Sequence, residues 1–313
     1  MDRKIEPIPR VLSFGCLLVL LAWSCPQGHA ATHPEGSLTV AVVSPRSVFG
    51  DVEANLNHFT EFIEEAAAKR ARLICFPELA LTSYSTHAEV LRSAEEIPGP
   101  TTKKLEAIAK RLDVYISVGM AERDGKRHHI TQLLVGPQGY LGKYRKNHPT
   151  GGEQACGFAP GTSFPTWDID GFRFGILICF DGRHPETIEA MKKAHVDIIH
   201  HPHGNTVGGV GREAEEWTRS KMVYLVPRAV QARAHILVNN SAEDTQQPQG
   251  NVQYSSGALV IDALGQVVSR TMQKNRQEKM IIVALQKPAQ MIPEGEMRRL
   301  QADPVFKLRF QRD

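Results

Sequence analysis

The sequence predicts an α/β fold built on mixed sheets. Short apolar, β-rich runs alternate with stretches of helical periodicity. Glycine-centred hairpin signals interleave with these βα units, so parallel and antiparallel pairings must coexist. No linker divides residues 31–313, which read as a single domain large enough to bury its own core. Periodicity alone allows either a doubly wound sheet or two sheets sandwiched between helices.

Residues 37–43 are β-rich and open the fold as a strand. Over 51–69, Leu56, Phe59, Phe62, Ile63 and Ala66 recur at helical spacing, with Asn55, His58, Glu61, Glu64 and Lys69 on the other face. A short strand at 73–76 stops at Pro77. Thr101 or Thr102 caps a helix to about Arg111, followed by a strand at 114–120. Residues 130–135 and 139–143 form a hairpin about Gly136-Pro137. Glycine-rich 150–162 reads as an irregular loop. Residues 164–169 and 172–178 pair about Asp170-Gly171. A helix at 185–194, a strand at 196–200 and a loop at 201–211 follow. A long helix spans 212–233, with a break allowed at Pro227. Strands at 235–240, 256–262, 267–271 and 280–284 complete the set. The tail from about 287 is expected to pack on the surface or on a partner subunit.

The N-terminus lies outside this fold. Arg3, Lys4 and Arg10 precede an apolar run over 11–23, and small residues follow at Gly28, Ala30 and Ala31. That order describes a secretory signal peptide over residues 1–30, cleaved near Ala30. The run is short for a membrane span. Lipid attachment at Cys25 is disfavoured by Trp23 and Ser24 before it; an uncleaved anchor is the other alternative. The expected location is secreted or periplasmic, with no membrane span after cleavage.

Net charge is +3, too small to argue for nucleic acid or an acidic membrane as partner. Cys16 and Cys25 leave with the signal. Cys75, Cys156 and Cys179 remain, an odd number that keeps at least one thiol free.

Three segments end an apolar strand in a reactive side chain: Glu78 after 73–76, Lys146 after 142–145, and Cys179 after 174–178. Each alone has an ordinary explanation. Glu78 and Lys146 could be solvated surface charges, and most free cysteines are small core hydrophobes. Together they supply what a thiol needs to attack a carbonyl. A base takes the thiol proton and returns it to the leaving amine, while a cation stabilises the oxyanion. The backbone N–H of Phe180 is placed to assist. Phe76 beside Glu78 would raise that carboxylate's pKa. Pro185-Glu186 starts a helix just beyond Cys179, so the cysteine sits at a strand-to-helix elbow.

The motifs Phe76-Pro77-Glu78-Leu79, Tyr144-Arg145-Lys146-Asn147-His148 and Cys179-Phe180-Asp181-Gly182-Arg183-His184-Pro185-Glu186 occur in that order. In this the chain resembles the nitrilase, or carbon–nitrogen hydrolase, superfamily across residues 37–286. The resemblance implies a four-layer αββα sandwich of two mixed β-sheets flanked by helices. It also implies a Glu78–Lys146–Cys179 triad, and Glu153 as a second glutamate that positions the lysine and substrate. It implies no cofactor and no metal, and a homodimer or higher homo-oligomer. Cys179-Phe180-Asp181 is similar to amidases and N-carbamoyl-amine hydrolases, whereas nitrilases tend to have Cys-Trp-Glu. The expected substrate is therefore a linear amide or carbamoyl compound, with nitrile hydrolysis, acyl transfer to an amine and a non-catalytic binding module as alternatives.

Departures from the family pattern fall at Gly182, where a larger apolar residue is common, and His184, where an aromatic is common. Gln231 stands where the family often has a glutamate. Arg183 is a candidate for a substrate carboxylate, or else a partner of Glu186. His200-His201-Pro202-His203 invites a metal reading but lacks a completing carboxylate or thiolate, so a pocket wall or substrate contact through His203 is expected. His128-His129 reads as a solvated hairpin edge, and Cys75 as core. The loops at 82–90, 150–162 and 202–211 are expected to set specificity.

Expressed in a secretory host, the chain should lose residues 1–30 or close to them. Intact-mass measurement of the exported product checks this, and retention of Met1 would refute the signal reading.

Overall fold

A computed structural model describes residues 36–208 and 213–288. The expected signal peptide over residues 1–30 and nearly all of the C-terminal tail lie outside the described residues. In chain order the elements are β1 (Ser37–Ser44), α1 (Val52–Ala68), β2 (Leu73–Cys75), α2 (Pro100–Leu112), β3 (Tyr115–Asp124), β4 (Arg127–Gly136) and β5 (Gly139–Arg145). Then come α3 (Gly151–Cys156), β6 (Thr166–Ile169), β7 (Phe172–Ile176), α4 (Pro185–Lys193), β8 (Ile198–His203), α5 (Ala214–Ala232) and β9 (His235–Asn240). The chain closes with β10 (Asp244–Gln247), β11 (Gly250–Gln253), β12 (Ala258–Ile261), β13 (Val267–Arg270) and β14 (Lys279–Gln286).

Two six-stranded sheets result, ordered β14-β1-β2-β3-β4-β5 and β13-β12-β9-β8-β7-β6. Both are mixed. β1, β2 and β3 run parallel, as do β7, β8 and β9, while antiparallel partners flank each trio. Alternation along β1 explains the layering. Val40 and Val42 join the cluster that also holds Ile176, Ile198 and Leu237 of the opposing sheet. Ala41 and Val43 face the other way, onto Leu56 and Phe59 of α1 and Leu105 of α2. Ile188 and Met191 of α4 and Leu225 and Ala229 of α5 extend the first cluster. The expected αββα sandwich is what forms.

Polar side chains pin the two sheets to each other near the carboxyl ends of their parallel strands. Asn239 of β9 donates from Nδ2 to the Val43 and Cys75 carbonyls of the first sheet, both at 2.8 Å. His200 of β8 lies 2.9 Å from Ser117 Oγ of β3 and 3.2 Å from Asn239 Oδ1. Ser44 Oγ donates to the Asn240 carbonyl at 2.7 Å. All these groups are buried, so each must find its partner or lose its hydration without compensation.

The structure corrects several local expectations. Residues 151–156 form α3, not loop. β8 continues through His203, so His201 and His203 are strand residues. α5 runs unbroken past Pro227. A β10–β11 hairpin forms where the sequence shows no apolar alternation. His129 is buried, with Nδ1 3.0 Å from the Ala159 carbonyl, so the His128-His129 pair is not a solvated edge. Gln231, which replaces the commoner glutamate, still anchors α5. It accepts from Arg228 Nη1 at 2.8 Å and donates to Glu189 of α4 at 2.9 Å.

Asn239→Ala should strip donors from two buried carbonyls and destabilise the fold by about 3 kcal/mol. Urea unfolding of the variant measures this, and a loss under about 0.5 kcal/mol would show that the inter-sheet bonds contribute little.

Candidate active site

Glu78 follows the short β2 and rests on β3. Phe76 N–H donates to the Ser117 carbonyl at 2.8 Å, and Gln132 Nε2 donates to the Phe76 carbonyl at 2.9 Å. Close approach is possible because residue 119 is glycine. A Cβ there would lie 2.5 Å from the Pro77 oxygen and 2.4 Å from the Leu79 nitrogen. Lys146 follows β5, with its N–H bonded to the Ile130 carbonyl at 2.9 Å. Cys179 begins a short 3₁₀ turn between β7 and α4, at φ +46°. A left-handed conformation in a non-glycine residue is strained, and such strain gathers at functional elbows.

Lys146 is fully buried between two buried carboxylates. Its Nζ donates to Glu78 Oε1 at 2.7 Å and to Glu153 Oε1 at 2.8 Å. Glu153 is held in turn. Its Oε1 accepts from the Tyr84 hydroxyl at 2.9 Å, and its Oε2 accepts from Thr150 N–H at 2.8 Å. Thr150 Oγ1 accepts in return from Glu153 N–H at 3.4 Å, closing a capping box on α3.

The elbow is organised by Asp181. Its Oδ2 accepts from Ile178 N–H at 2.9 Å and from the Tyr144 hydroxyl at 2.7 Å. Its Oδ1 accepts from His148 N–H at 2.8 Å. The segment carrying Lys146 and the turn carrying Cys179 are thus fastened to one carboxylate. Asn205, just after β8, accepts from Trp217 Nε1 at 3.0 Å and puts Nδ2 3.9 Å from Cys179 Sγ.

Desolvation pushes the Cys179 thiol up to about 12, reinforced by Glu78 and opposed by Lys146 and Lys221. Desolvation likewise raises Glu78, against the pull of Lys146 and with the push of Glu153. Lys146 is held charged, because the attraction of Glu78, Cys179 and Glu153 exceeds its burial penalty. At rest the thiol therefore keeps its proton beside a carboxylate of unusually high proton affinity.

The sequence-derived candidates separate into groups. Glu78, Lys146, Cys179 and Glu153 converge. Phe180 borders Cys179 and is 37% exposed. Arg183 does not pair with Glu186; its guanidinium carbon lies 5.1 Å from the Tyr224 ring centroid. His203 is fully buried at the end of β8, edge-on to His201 and Trp217. Cys75, Cys156 and Cys179 are all free thiols, and Cys75 packs in the core. Tyr84, Asp181, Asn205 and Lys221 were missed. Asp181 stands two residues past Cys179, where the sequence alone marks only a substrate class. Tyr84 and Asn205 fall in loops expected to set specificity but without a signal that singles them out, and Lys221 reaches the site from α5.

One cluster among the described residues brings metal-ligating atoms together: His148, His184 and Glu186, within 4.8 Å of one another. Glu186 Oε1 lies 3.2 Å from His148 Nε2 and 3.5 Å from His184 Nδ1. The two rings stack at 3.7 Å, with 10° between their planes. Parallel rings in separate planes cannot aim their in-plane lone pairs at one ion, so the arrangement fits a histidine stack against a carboxylate better than a metal centre.

An αββα sandwich that joins a strained cysteine to a glutamate–lysine–glutamate array defines the class of carbon–nitrogen hydrolases. The Carbon-nitrogen hydrolase family model matches residues 39–291, and the chain belongs to that family. Over 167 residues it is 36% identical to a nitrilase from Pyrococcus abyssi, covering 52% of this chain and 63% of that protein. Over 185 residues it is 31% identical to nitrilase 3 from Arabidopsis thaliana, covering 53% and 54%. The matched stretch thus spans between half and two thirds of these curated relatives. An amidase from Nesterenkonia sp. shares the fold with a TM-score of 0.68 at 20% identity, over 85% of this chain and 97% of that one. A CN-hydrolase superfamily protein from Xanthomonas campestris, solved with an arsenic adduct in its active site, gives 0.69 at 19% identity, over 88% and 97%.

Lys146→Met should leave Glu78 and Glu153 buried without a cation and destabilise the protein by about 3–5 kcal/mol. Adding Glu78→Gln and Glu153→Gln should recover part of that loss. Thermal unfolding of the single and triple variants tests the array, and an additive, further destabilised triple variant would contradict it.

Proposed function

We propose that the protein hydrolyses a linear amide or N-carbamoyl C–N bond through a cysteine thioester. The observation that carries this reading is the fully buried Lys146 bonded to both Glu78 and Glu153 beside the strained Cys179. Glu78 Oε2 has no hydrogen-bond partner among the described residues. It takes the Sγ proton as sulfur attacks the carbonyl carbon. The Lys146 ammonium and the Phe180 N–H stabilise the oxyanion. On collapse the C–N bond breaks, and Glu78 passes its proton to the leaving nitrogen as ammonia or an amine departs. Water, deprotonated by Glu78, then cleaves the thioester to a carboxylate and restores the thiol. Glu153 and Tyr84 hold Lys146 in place throughout.

The raised proton affinity of Glu78 suits this shuttle, because a carboxylate in the ordinary range is a weak base toward a thiol held near 12. Cys179-Phe180-Asp181 favours amides. A second reading, nitrile hydrolysis, is favoured by the nitrilases among the relatives in sequence. There the thiol adds to the nitrile carbon and two waters are consumed. The N-terminal segment supports export to a secreted or periplasmic location, and the family supports a homo-oligomer.

Ammonia release should be assayed over amides, N-carbamoyl compounds and nitriles. Amide or carbamoyl turnover without nitrile turnover is expected, and the reverse would favour the second reading. Cys179→Ala should lower kcat by at least ~10⁴-fold while the fold persists. The acid limb of kcat/KM should fall well above the ordinary glutamate range of about 4.3, since Glu78 must be ionised to act. An acid limb near pH 4 would remove Glu78 as the base.

A further inference from the structure

We propose that Lys221, with Arg183 at the rim, forms a subsite for a substrate carboxylate, so that the compound cleaved at Cys179 is an amide bearing a carboxylate at its far end. This rests on the amide-hydrolase reading and narrows its substrate class.

Trp217, Lys221 and Tyr224 occupy positions i, i+4 and i+7 of α5 and so share one helix face. Lys221 is 3% exposed. Its Nζ lies 5.5 Å from the Trp217 ring centroid and 5.6 Å from that of Tyr224. Arg183, exposed and four residues beyond Cys179, places its guanidinium over the same Tyr224 ring. Two cations therefore flank one aromatic side chain beside the nucleophile.

Among the described residues, no carboxylate lies within ion-pair distance of either. The contrast with Lys146 is direct, since that ammonium is equally buried and has two. Asp181, two residues before Arg183, is engaged by Ile178, Tyr144 and His148, and Glu186, three residues after it, lies against His148 and His184. A buried ammonium without an anion is costly, and ring faces offset only part of that cost. Desolvation accordingly lowers Lys221 to about 8, and a bound anion would restore its charge.

Glu78, which is committed to Lys146, and the Cys179 thiolate are the other anions within electrostatic reach of this lysine. That thiolate already has Lys146, and it exists only transiently. A carboxylate carried by the substrate would be present from binding onward. Lys221 would then act as a specificity determinant through the half of the substrate that does not react.

The test separates binding from turnover. Affinities of the Cys179→Ala protein are measured by calorimetry for monoamides of three- to six-carbon dicarboxylic acids and for neutral amides of matching length. The best carboxylated compound should bind about tenfold or more tighter than its neutral match, and Lys221→Met in the same background should reduce that ratio about tenfold. Lys221→Gln serves as the second variant if methionine does not fold. A ratio near one, or a ratio that either folded variant leaves unchanged, overturns the subsite. Turnover by the wild-type protein is scored separately. Selective binding without hydrolysis of any amide supports the subsite and removes the amide reading. Hydrolysis without selective binding does the opposite.

Discussion

The burial of one ammonium ion between two carboxylates governs this structure. Lys146 cannot be removed from water without compensation, and Glu78 and Glu153 supply it at 2.7 and 2.8 Å. The compensation has a geometric price, because the three charges come from different segments: after β2, after β5 and within α3. Holding them together requires the Glu78 loop to lie flat on β3, which residue 119 permits only as glycine. It requires the capping box that turns Glu153 inward. It also requires Asp181, which fastens the lysine segment to the cysteine turn across the two sheets. The inter-sheet bonds of Asn239, His200 and Ser44 keep that alignment from sliding.

Much of this was legible from residues alone. Strand and helix periodicities gave nearly every element of both sheets, because buried strands and amphipathic helices write their environment into their own sequence. The convergence of Glu78, Lys146 and Cys179 was legible because each follows a strand. The failures have a common cause in local signals overruled by contacts distant in sequence. Gly151 and Gly152 disguised α3, although Thr150 and Glu153 stand at capping-box spacing. β10 and β11 carry a single apolar side chain, Val252, and pair where no alternation announces them. Lys221 carries no signal of its own in a helix of mixed polarity, and only the packing of α5 against the second sheet shows that it is buried.

The departures around the nucleophile also find physical causes. A side chain at position 182 would meet the His201 ring at 2.5 Å, so Gly182 and His201 exchange volume within one space. His184, in place of an aromatic, still stacks on His148 and meets Phe180 edge-on. The same imidazole also reaches Glu186. The rim of the site is therefore richer in ring nitrogens than the motif alone suggests, while the geometry beneath it is held by Asp181.

Glu153 belongs at once to a helix and to a charge array. One of its oxygens closes the first turn of α3, and the other bonds Lys146 and Tyr84. Six residues beginning with two glycines have little helical preference of their own. Their order is borrowed from the lysine, and the lysine's setting is borrowed from theirs. Opening this single turn would unseat one counter-ion of Lys146 while every strand stayed paired. The competent fraction of molecules is then a local folding equilibrium, and it can fall long before the sandwich itself gives way.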